Sequence, residues 1–131
     1  SGNKFPNSMD IAAAINQMVA QSERRELGEA EVDRIFRALA DSTRRDIVRR
    51  TLGTEASISQ LAAEYDMSFA AVQKHIAVLE AARLVTKHRR GRERLVRGDP
   101  DTIGNARELL EEYAQIWRAR IARLDDLLAE E

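Results

Sequence analysis

The basic residues of this 131-residue chain are concentrated in one short segment that could bind an anion. Seven lysines and arginines lie between Arg83 and Arg97, where Glu93 is the only acidic residue. Such a cluster attracts phosphate groups and releases counterions when it binds a nucleic acid backbone. Edge strands also carry basic residues simply to prevent sheet aggregation, but seven exceed that need. The segment is therefore a candidate phosphate-binding surface.

The net charge of the whole chain does not reveal this basic segment. There are 21 basic and 22 acidic residues, which gives a net charge of -1. From Asp99 to Glu131, nine acidic residues outnumber four arginines and cancel the basic block in the sum. The asymmetry between segments points to a charged partner more directly than the total does.

Other chemistries lack the residues that they need. Cysteine is absent, which excludes disulfides and thiolate ligands. The two histidines, His75 and His88, have no carboxylate pair at metal-ligand spacing. The sequence has no glycine-rich phosphate loop, nucleophile elbow or His-Glu-x-x-His motif. We expect no enzyme activity, no bound metal and no cofactor.

The apolar stretches are all short. None approaches the roughly 20 residues that a bilayer span requires, and no secretory signal is visible. With cysteine absent as well, we expect a soluble protein of a reducing cytosol, without a membrane partner.

Two short helices joined by a tight turn precede the basic segment. Ser57 and Gln60 have the spacing of a capping box for a helix that runs through Tyr65, and Ser68 can cap the next helix. In that second helix, apolar residues recur in steps of three and four as one buried face: Phe69, Val72, Ile76 and Leu79. The pair forms a candidate helix-turn-helix.

The opposite side of the second helix carries small residues around one lysine. Ala70, Ala71, Lys74 and Ala77 point outward, flanked by Gln73 and His75. This face could enter a DNA major groove, or it could be a solvated face whose alanines only favour helix formation. His75 is a hydrogen-bond donor to phosphate or a side chain, or an ordinary helix-flank residue. The candidate DNA-binding residues of this helix are Ser68, Phe69, Ala70, Ala71, Gln73, Lys74 and His75.

After Leu84 the pattern changes to alternation, which predicts two strands joined by a hairpin turn at Gly91-Arg92. Placed directly after a helix-turn-helix, this basic ribbon could bind phosphates or lay an arginine in a minor groove. Its candidate DNA-binding residues are Lys87, Arg89, Arg90, Arg92 and Arg94. Aromatic residues are sparse here, which favours duplex over single-stranded nucleic acid.

Three helices are predicted before the helix-turn-helix. Residues 1–8 are a vector-derived remnant or a disordered arm, and a helix follows at about 10–20. A second helix carries Val32, Ile35, Phe36 and Leu39, and a third runs from Arg44 to Leu52 between the capping segment 41–43 and Gly53. The apolar residues of the third helix are Ile47, Val48 and Leu52.

A last helix is predicted at about 102–129 with an apolar stripe sustained over about seven turns. At about 40 Å it is longer than so small a domain, so the excess is expected to contact a second copy. Tyr113 and Trp117 could alternatively line a ligand pocket. The candidate dimer-interface residues are Ile11, Ile15, Met18, Leu110, Tyr113, Trp117, Ile121 and Leu124.

Several of these segments together resemble one family. The segment from Phe36 to Val48 resembles the Leu-Ala-Asp-Pro-Thr-Arg region of ArsR-type winged helix-turn-helix regulators, with Ser42 where proline is usual. Residues 67–79 resemble the recognition helix of that family, and residues 84–85 the start of its wing. The segment from Tyr113 to Leu124 is similar to the branch whose long last helix completes the dimer.

The resemblance covers about residues 30 to 125 and implies a homodimeric bacterial or archaeal regulator. Such proteins are usually repressors that bind an inverted-repeat operator and are released by an effector. Ser57 and Ser59 stand where metal sensors of the family carry cysteines, so metal and thiol sensing do not carry over. Arg83 replaces a frequent glycine, at a cost of about 1 kcal/mol if that residue is left-handed.

We predict a mainly α winged helix-turn-helix domain over residues 9–131, with a small β-hairpin wing and a dimer formed through its N- and C-terminal helices. Its predicted function is sequence-specific binding of double-stranded DNA as a homodimeric transcriptional regulator. A small-molecule effector is compatible with this fold, but the sequence does not identify one. The alternative is a dimeric protein-interaction or small-molecule-sensing module without specific DNA reading.

Overall fold

In residues 27–130, which the computed structural model describes, four helices and a three-stranded sheet precede one long helix. The elements in chain order are α1 (Glu29–Leu39), α2 (Ser42–Gly53), β1 (Ala56–Ser57), α3 (Ile58–Ala63), α4 (Phe69–Ala81), β2 (Val85–Arg90), β3 (Glu93–Gly98) and α5 (Pro100–Ala129). The mainly helical fold with a hairpin wing is confirmed. The predicted helix at 10–20, with Ile11, Ile15 and Met18, lies outside the described residues.

The helix starts are fixed by the capping residues that the sequence indicated. Asp41 accepts a hydrogen bond from the Arg44 backbone N–H at 3.0 Å, and this bond is the main reason that the pKa of Asp41 is lowered. Ser57 and Gln60 form both bonds of a capping box, at 2.8 and 3.0 Å. These caps set where α2 and α3 begin.

The core of the unit that contains residues 27–103 is made of aliphatic side chains from the helices and the sheet. Its most deeply buried members are Ile35, Ala38, Ile47, Leu61, Val72, Ile76, Leu79, Leu84, Val85 and Val96. They come from α1 to α4, from β2 and β3 and, for Leu84, from the connection between α4 and β2, so most of the predicted helix faces do pack inward.

Three details of the predicted pattern are wrong. Phe69 is 48% exposed because it is the first residue of α4, and the inward-facing residues of that helix start one turn later at Val72. Leu52 is also exposed, whereas Thr51 is buried and donates its hydroxyl hydrogen bond to the Ile47 carbonyl at 2.7 Å. The helix expected to run through Tyr65 ends at Ala63.

The sheet contains a short strand that the sequence did not indicate. The strand order is β1-β3-β2, all antiparallel, and Ala56 and Ser57 pair with Val96 and Leu95. Two residues are too few for an alternating pattern to be visible. At the end of β3, Gly98 lies so close to α2 that a Cβ atom there would be 2.9 Å from the Leu52 backbone nitrogen. That close approach requires glycine.

The connection from α4 to β2 uses a left-handed residue. Arg83 has φ 61°, the backbone conformation that favours glycine, so the strain expected at this position is present. The Arg83 and Leu84 N–H groups donate to the Glu80 and Leu79 carbonyls at 3.0 and 2.9 Å. Thr102 donates its hydroxyl hydrogen bond to the Arg83 carbonyl at 2.6 Å. These bonds hold the strained turn that places the hairpin after α4.

Helix α5 begins at Pro100, two residues earlier than predicted, and its residues from 104 onward belong to a second unit. Its 30 residues correspond to about 45 Å. The residues of this helix that were predicted for the dimer interface, called here the α5 stripe, are 38 to 59% exposed: Leu110, Tyr113, Trp117, Ile121 and Leu124.

Candidate nucleic-acid interface

Helix α4 presents a face of small and polar side chains to solvent. Its start is fixed by Ser68, whose hydroxyl oxygen accepts a hydrogen bond from the Ala71 N–H at 3.1 Å. The buried residues Val72, Ile76 and Leu79 hold the opposite side of the helix in the core. Six exposed residues of the outer side are called here the α4 outer face: Ser68, Phe69, Ala70, Gln73, Lys74 and Ala77. Val78, next to Ala77, is also exposed.

The remaining two candidates of this helix are half-buried. Ala71 lies at the edge of the α4 outer face, next to its cap, and His75 is held by an arginine from α2. The Arg44 guanidinium donates to the Ala38 carbonyl at 2.8 Å, to the Arg37 carbonyl at 3.0 Å and to His75 Nδ1 at 3.2 Å.

Arg44 therefore fixes both the position and the tautomer of His75. A guanidinium only donates hydrogen bonds, so Nδ1 accepts and the neutral ring carries its proton on Nε2. Because Arg44 also binds the end of α1, one side chain connects α1, α2 and α4. The Nε2–H remains as the donor that His75 can offer a ligand.

A second polar network supports the turn before α4. The Tyr65 hydroxyl donates to Asp46 at 2.6 Å, and Arg50 Nε donates to the same carboxylate at 2.7 Å. Arg49 also pairs with Asp46, and Arg50 lies over the Tyr65 ring. The hydrogen bonds from Tyr65 and Arg50 lower the pKa of Asp46 to about 2, while burial and Asp46 raise the pKa of Tyr65 to about 12. This network ties the helix-turn-helix turn to α2.

Strands β2 and β3 and their turn form the wing. Its two faces differ in which of their basic side chains have acidic partners. Register places Arg89 directly opposite Arg94 and Lys87 opposite Val96, so these side chains share the α4-side face. Lys87 pairs with Glu80 of α4 at 3.2 Å. Within the described chain, no acidic side chain pairs with Arg89 or Arg94. Opposed like charges are destabilising, so this pair favours an external anion.

A shallow groove of about 350 Å³ lies beside this face. It is lined by Glu80, Lys87, His88, Arg89 and Arg94. Arg92 is exposed in the turn, next to Gly91, whose φ of 64° suits the hairpin. The basic residues of this groove come from the wing, and α4 contributes Glu80.

The other face of the wing, the Glu55-side face, is neutralised from within the chain. The Glu55 carboxylate contacts three nitrogen atoms: His88 Nε2 at 3.1 Å, Arg90 Nη1 at 2.7 Å and Arg97 Nη2 at 2.9 Å. The bond from Arg97 is the main cause of the lowered pKa of the Glu55 carboxyl. Arg90, which the sequence placed with the other wing arginines, is therefore paired on the opposite side from Arg89 and Arg94.

Sequence reasoning missed Glu55, Asp46 and Arg44 as site residues. Glu55 precedes a strand too short to recognise, and the partners of Asp46 and Arg44 are 19 and 31 residues away in sequence. Among residues 27–130, no group of three histidine, aspartate or glutamate side chains is arranged to hold a metal ion. None of the helices in that range is long and apolar enough to cross a membrane.

Comparison with known proteins agrees with this geometry. A family model described as a helix-turn-helix domain matches residues 39–88, which include α3, the turn and α4. The HTH-type transcriptional regulator Rv2034 of Mycobacterium tuberculosis is 37% identical over 81 residues, 62% of this chain and 76% of that protein. The crystal structure of the ArsR family transcriptional regulator RHA00566 has a TM-score of 0.66 and 30% identity, covering 72% of this chain and 97% of that one.

The chain belongs to the ArsR family of transcriptional regulators. A homodimeric winged helix-turn-helix DNA-binding domain, Mb0332 from Mycobacterium bovis, shares the fold at 19% identity and a TM-score of 0.50. It covers 73% of this chain and 83% of that one.

As an ArsR-family member, this protein is a transcriptional regulator with a helix-turn-helix DNA-binding domain, and its relatives are regulators rather than enzymes. Within the family fold, α4 is the recognition helix and β2 and β3 form the wing. The α4 outer face and the α4-side face of the wing belong to these two elements of the family fold.

Proposed function

We propose that this ArsR-family regulator binds double-stranded DNA sequence-specifically as a homodimer and represses transcription from an inverted-repeat operator. One observation carries the proposal. A recognition helix with an outer face of small and polar residues lies beside the opposed arginines Arg89 and Arg94, which have no acidic partner among residues 27–130. Small side chains let a helix approach base edges closely, and unpaired arginines bind phosphates.

The α4 outer face supplies the groups for base recognition. Lys74 can donate to guanine, Gln73 can make a bidentate pair with N6 and N7 of adenine, and Ser68 can contact a base or a phosphate. Phe69 and Ala70 offer apolar contact to thymine methyl groups. Ala71 and His75 lie at the edge of this surface, where the Nε2–H of His75 is placed to donate to a phosphate.

The wing supplies affinity through Arg89, Arg92 and Arg94, with Lys87 shared between DNA and Glu80. These side chains give contacts to phosphate or to the minor groove that are independent of sequence. Arg90 is assigned a smaller part than the sequence suggested, because Glu55 already holds its guanidinium.

The apolar stripe of α5 supports the homodimer. Five large apolar side chains, each 38% exposed or more, repeat at helical spacing over four turns. Monomeric soluble proteins rarely expose an apolar patch of this extent, and a second copy would cover it with an identical stripe. Ile11, Ile15 and Met18 stay predicted members of the same interface. The domain from Mycobacterium bovis that shares this fold is homodimeric, which supports the proposal.

A two-fold dimer presents its two recognition helices to two half-sites of opposite orientation. Such symmetry matches an inverted repeat with half-sites about one helical turn, or 34 Å, apart. Binding at such a site competes with polymerase for the same DNA, which gives repression. We place this activity in the bacterial cytoplasm with the nucleoid, where the DNA is.

The test is fluorescence anisotropy with a duplex from upstream of the protein's own gene and a scrambled duplex, each at several salt concentrations. Salt-sensitive binding with a clear preference for the upstream duplex is the expected result. Equal binding to both would contradict specific recognition of that DNA. Absence of binding at low salt would favour the alternative of a protein-interaction module.

A refinement tests the assignment of Phe69. Replacing thymine by uracil removes only the 5-methyl group and leaves every hydrogen-bonding group of the base pair unchanged. The wild-type protein should bind the uracil duplex several-fold more weakly than the thymine duplex, and most of this difference should be lost in the Phe69→Ala variant. A penalty for uracil that persists in Phe69→Ala would assign the methyl contact to another residue.

A further inference from the structure

Three basic side chains of the wing converge on one carboxylate. His88, Arg90 and Arg97 lie on the Glu55-side face and contact Glu55 at 3.1, 2.7 and 2.9 Å. Arg90 and Arg97 belong to different strands, and Glu55 precedes β1, so the contact joins three segments of chain. In contrast, Arg89 and Arg94 on the α4-side face have no such partner in the described chain.

These ion pairs contribute little to the stability of the fold. The side chains of Arg90 and Arg97 are 66% and 57% exposed, and ion pairs with exposed partners contribute little to the free energy of folding. The sheet is already held by backbone pairing of β1, β2 and β3 and by the buried residues Leu95 and Val96. The main effect of Glu55 is therefore on the electric charge that the wing presents.

We infer that Glu55 is a specificity-determining residue that occupies the basic groups of the Glu55-side face and so limits non-specific affinity for DNA. The inference rests on the proposed DNA-binding function. A carboxylate that bridges Arg90 and Arg97 takes the place that a phosphate would otherwise have. It leaves Arg89, Arg92 and Arg94 as the unpaired cations of the wing.

The physical consequence follows from counterion release. Each additional phosphate contact steepens the dependence of log affinity on log salt by about 0.9. Contacts of this kind strengthen binding to every sequence, including the large excess of non-specific sites in a genome. Because Glu55 keeps Arg90 and Arg97 from binding phosphates, the α4 outer face contributes a larger share of the affinity. The protein then distinguishes better between its preferred DNA sequence and other sequences.

The experiment compares the wild-type protein with Glu55→Gln on the preferred duplex and on a random duplex, at several salt concentrations. Glutamine keeps the size of the side chain and removes the charge. Affinity for the random duplex should rise about tenfold at low salt, and its salt slope should steepen by one to two. The preference for the preferred duplex should fall by a factor of several.

Two further variants make the result specific. Asp33→Asn makes the same charge change at an exposed residue of α1 outside the wing and should leave the salt slope unchanged. Adding Arg90→Gln and Arg97→Gln to Glu55→Gln should remove the gain. With Glu55 in place, those two arginine changes should leave the slope within about half a unit of wild type.

An unchanged or shallower salt slope in Glu55→Gln, with wild-type melting temperature, would overturn the inference. So would a loss of slope in Arg90→Gln/Arg97→Gln while Glu55 is present, a readout that holds even if Glu55→Gln folds poorly. If the wild type binds no duplex at low salt, the proposed function fails and this inference fails with it. If the wild type binds and only the variants disagree, the proposed function stands.

Discussion

The α4 outer face and the α5 stripe are built from opposite kinds of side chain. The α4 outer face carries alanines with Gln73 and Lys74, and the large apolar residues exposed on that helix are Phe69 and the neighbouring Val78. The α5 stripe carries leucines, an isoleucine, Tyr113 and Trp117. Both surfaces lie on α-helices, so the contrast is one of chemistry and not of secondary structure.

The contrast indicates two different partners. A face of small and polar groups gains little from leaving water, but it can approach hydrogen-bonding base edges closely. A stripe of large apolar groups gains about 25 cal/mol for each Å² buried and requires an apolar partner surface. Changes on α5 should therefore act on assembly, and changes on α4 should act on the choice of DNA sequence.

The largest effect is expected from Trp117→Glu. A charge in the middle of the α5 stripe would have to be desolvated in the dimer, and the large aromatic contact would be lost. We expect a monomer at micromolar concentration by light scattering, and a loss of DNA affinity of at least about 100-fold, because one recognition helix then acts alone.

Gln115→Glu is the matched control, since Gln115 is an exposed residue of the same helix outside the stripe. It should leave both mass and affinity near wild type. A Trp117→Glu protein that remains dimeric would separate the α5 stripe from assembly and break the comparison.

The next largest effect is expected from Lys74→Ala on the α4 outer face. Loss of a base contact costs about 1 to 3 kcal/mol for the matching sequence and little for others. Anisotropy should therefore show a drop for the preferred duplex of about tenfold or more, a smaller drop for the random duplex, and an unchanged dimer. Lys74→Arg keeps the charge and tests geometry: full rescue on every duplex would mean that Lys74 binds phosphate only.

The sequence predicted the elements that have local signals. The caps at Asp41, Ser57 and Ser68, the helical period of Val72, Ile76 and Leu79, and the alternation around Gly91 each depend on residues a few positions apart. These local patterns explain why the helix-turn-helix and the hairpin were predicted nearly at their observed bounds. The exposed positions of Gln73 and Lys74 follow from the same helical period.

The parts that the sequence did not predict depend on distant contacts. The charge pattern of the wing showed seven basic residues but not their division between two faces, because Glu55 is 33 and 42 residues from His88 and Arg97. Phe69 has the right spacing for the core, but its place in the first turn of α4 leaves it exposed. Spacing alone does not show where a helix enters the core.

A third prediction concerns the Asp46 network, which supports the turn before α4 and lies outside the α4 outer face and the α5 stripe. The pKa of Asp46 is about 2 in the folded protein, below its ordinary 3.8, so its interactions stabilise the fold above pH 4. That contribution, at most about 2 kcal/mol, is lost as the pH falls from 4 to 2. Denaturation at fixed protomer concentration should show Asp46→Asn less stable than wild type at pH 7, with the difference vanishing near pH 2.

Tyr65→Phe removes only the hydroxyl that donates a hydrogen bond to Asp46. It should lower the free energy of unfolding by about 1 kcal/mol at pH 7. Dimer mass should be unchanged in both variants. A difference between wild type and Asp46→Asn that stays constant down to pH 2 would show that the carboxylate charge is not what stabilises this network.

The smallest effect is expected within the wing, from Arg94→Ala compared with Arg90→Ala. Both are exposed arginines of the hairpin, but Arg94 lies on the α4-side face without an acidic partner in the described chain, and Arg90 is held by Glu55. Arg94→Ala should lower the salt slope by about one and weaken all duplexes by a similar factor of a few, since a phosphate contact is independent of sequence. Arg90→Ala should leave the slope nearly unchanged.

Two outcomes would contradict this prediction. Equal losses of salt slope in both variants would show that the two faces of the wing contact DNA alike. A loss of affinity for the preferred duplex alone in Arg94→Ala would assign Arg94 to base recognition instead of phosphate binding.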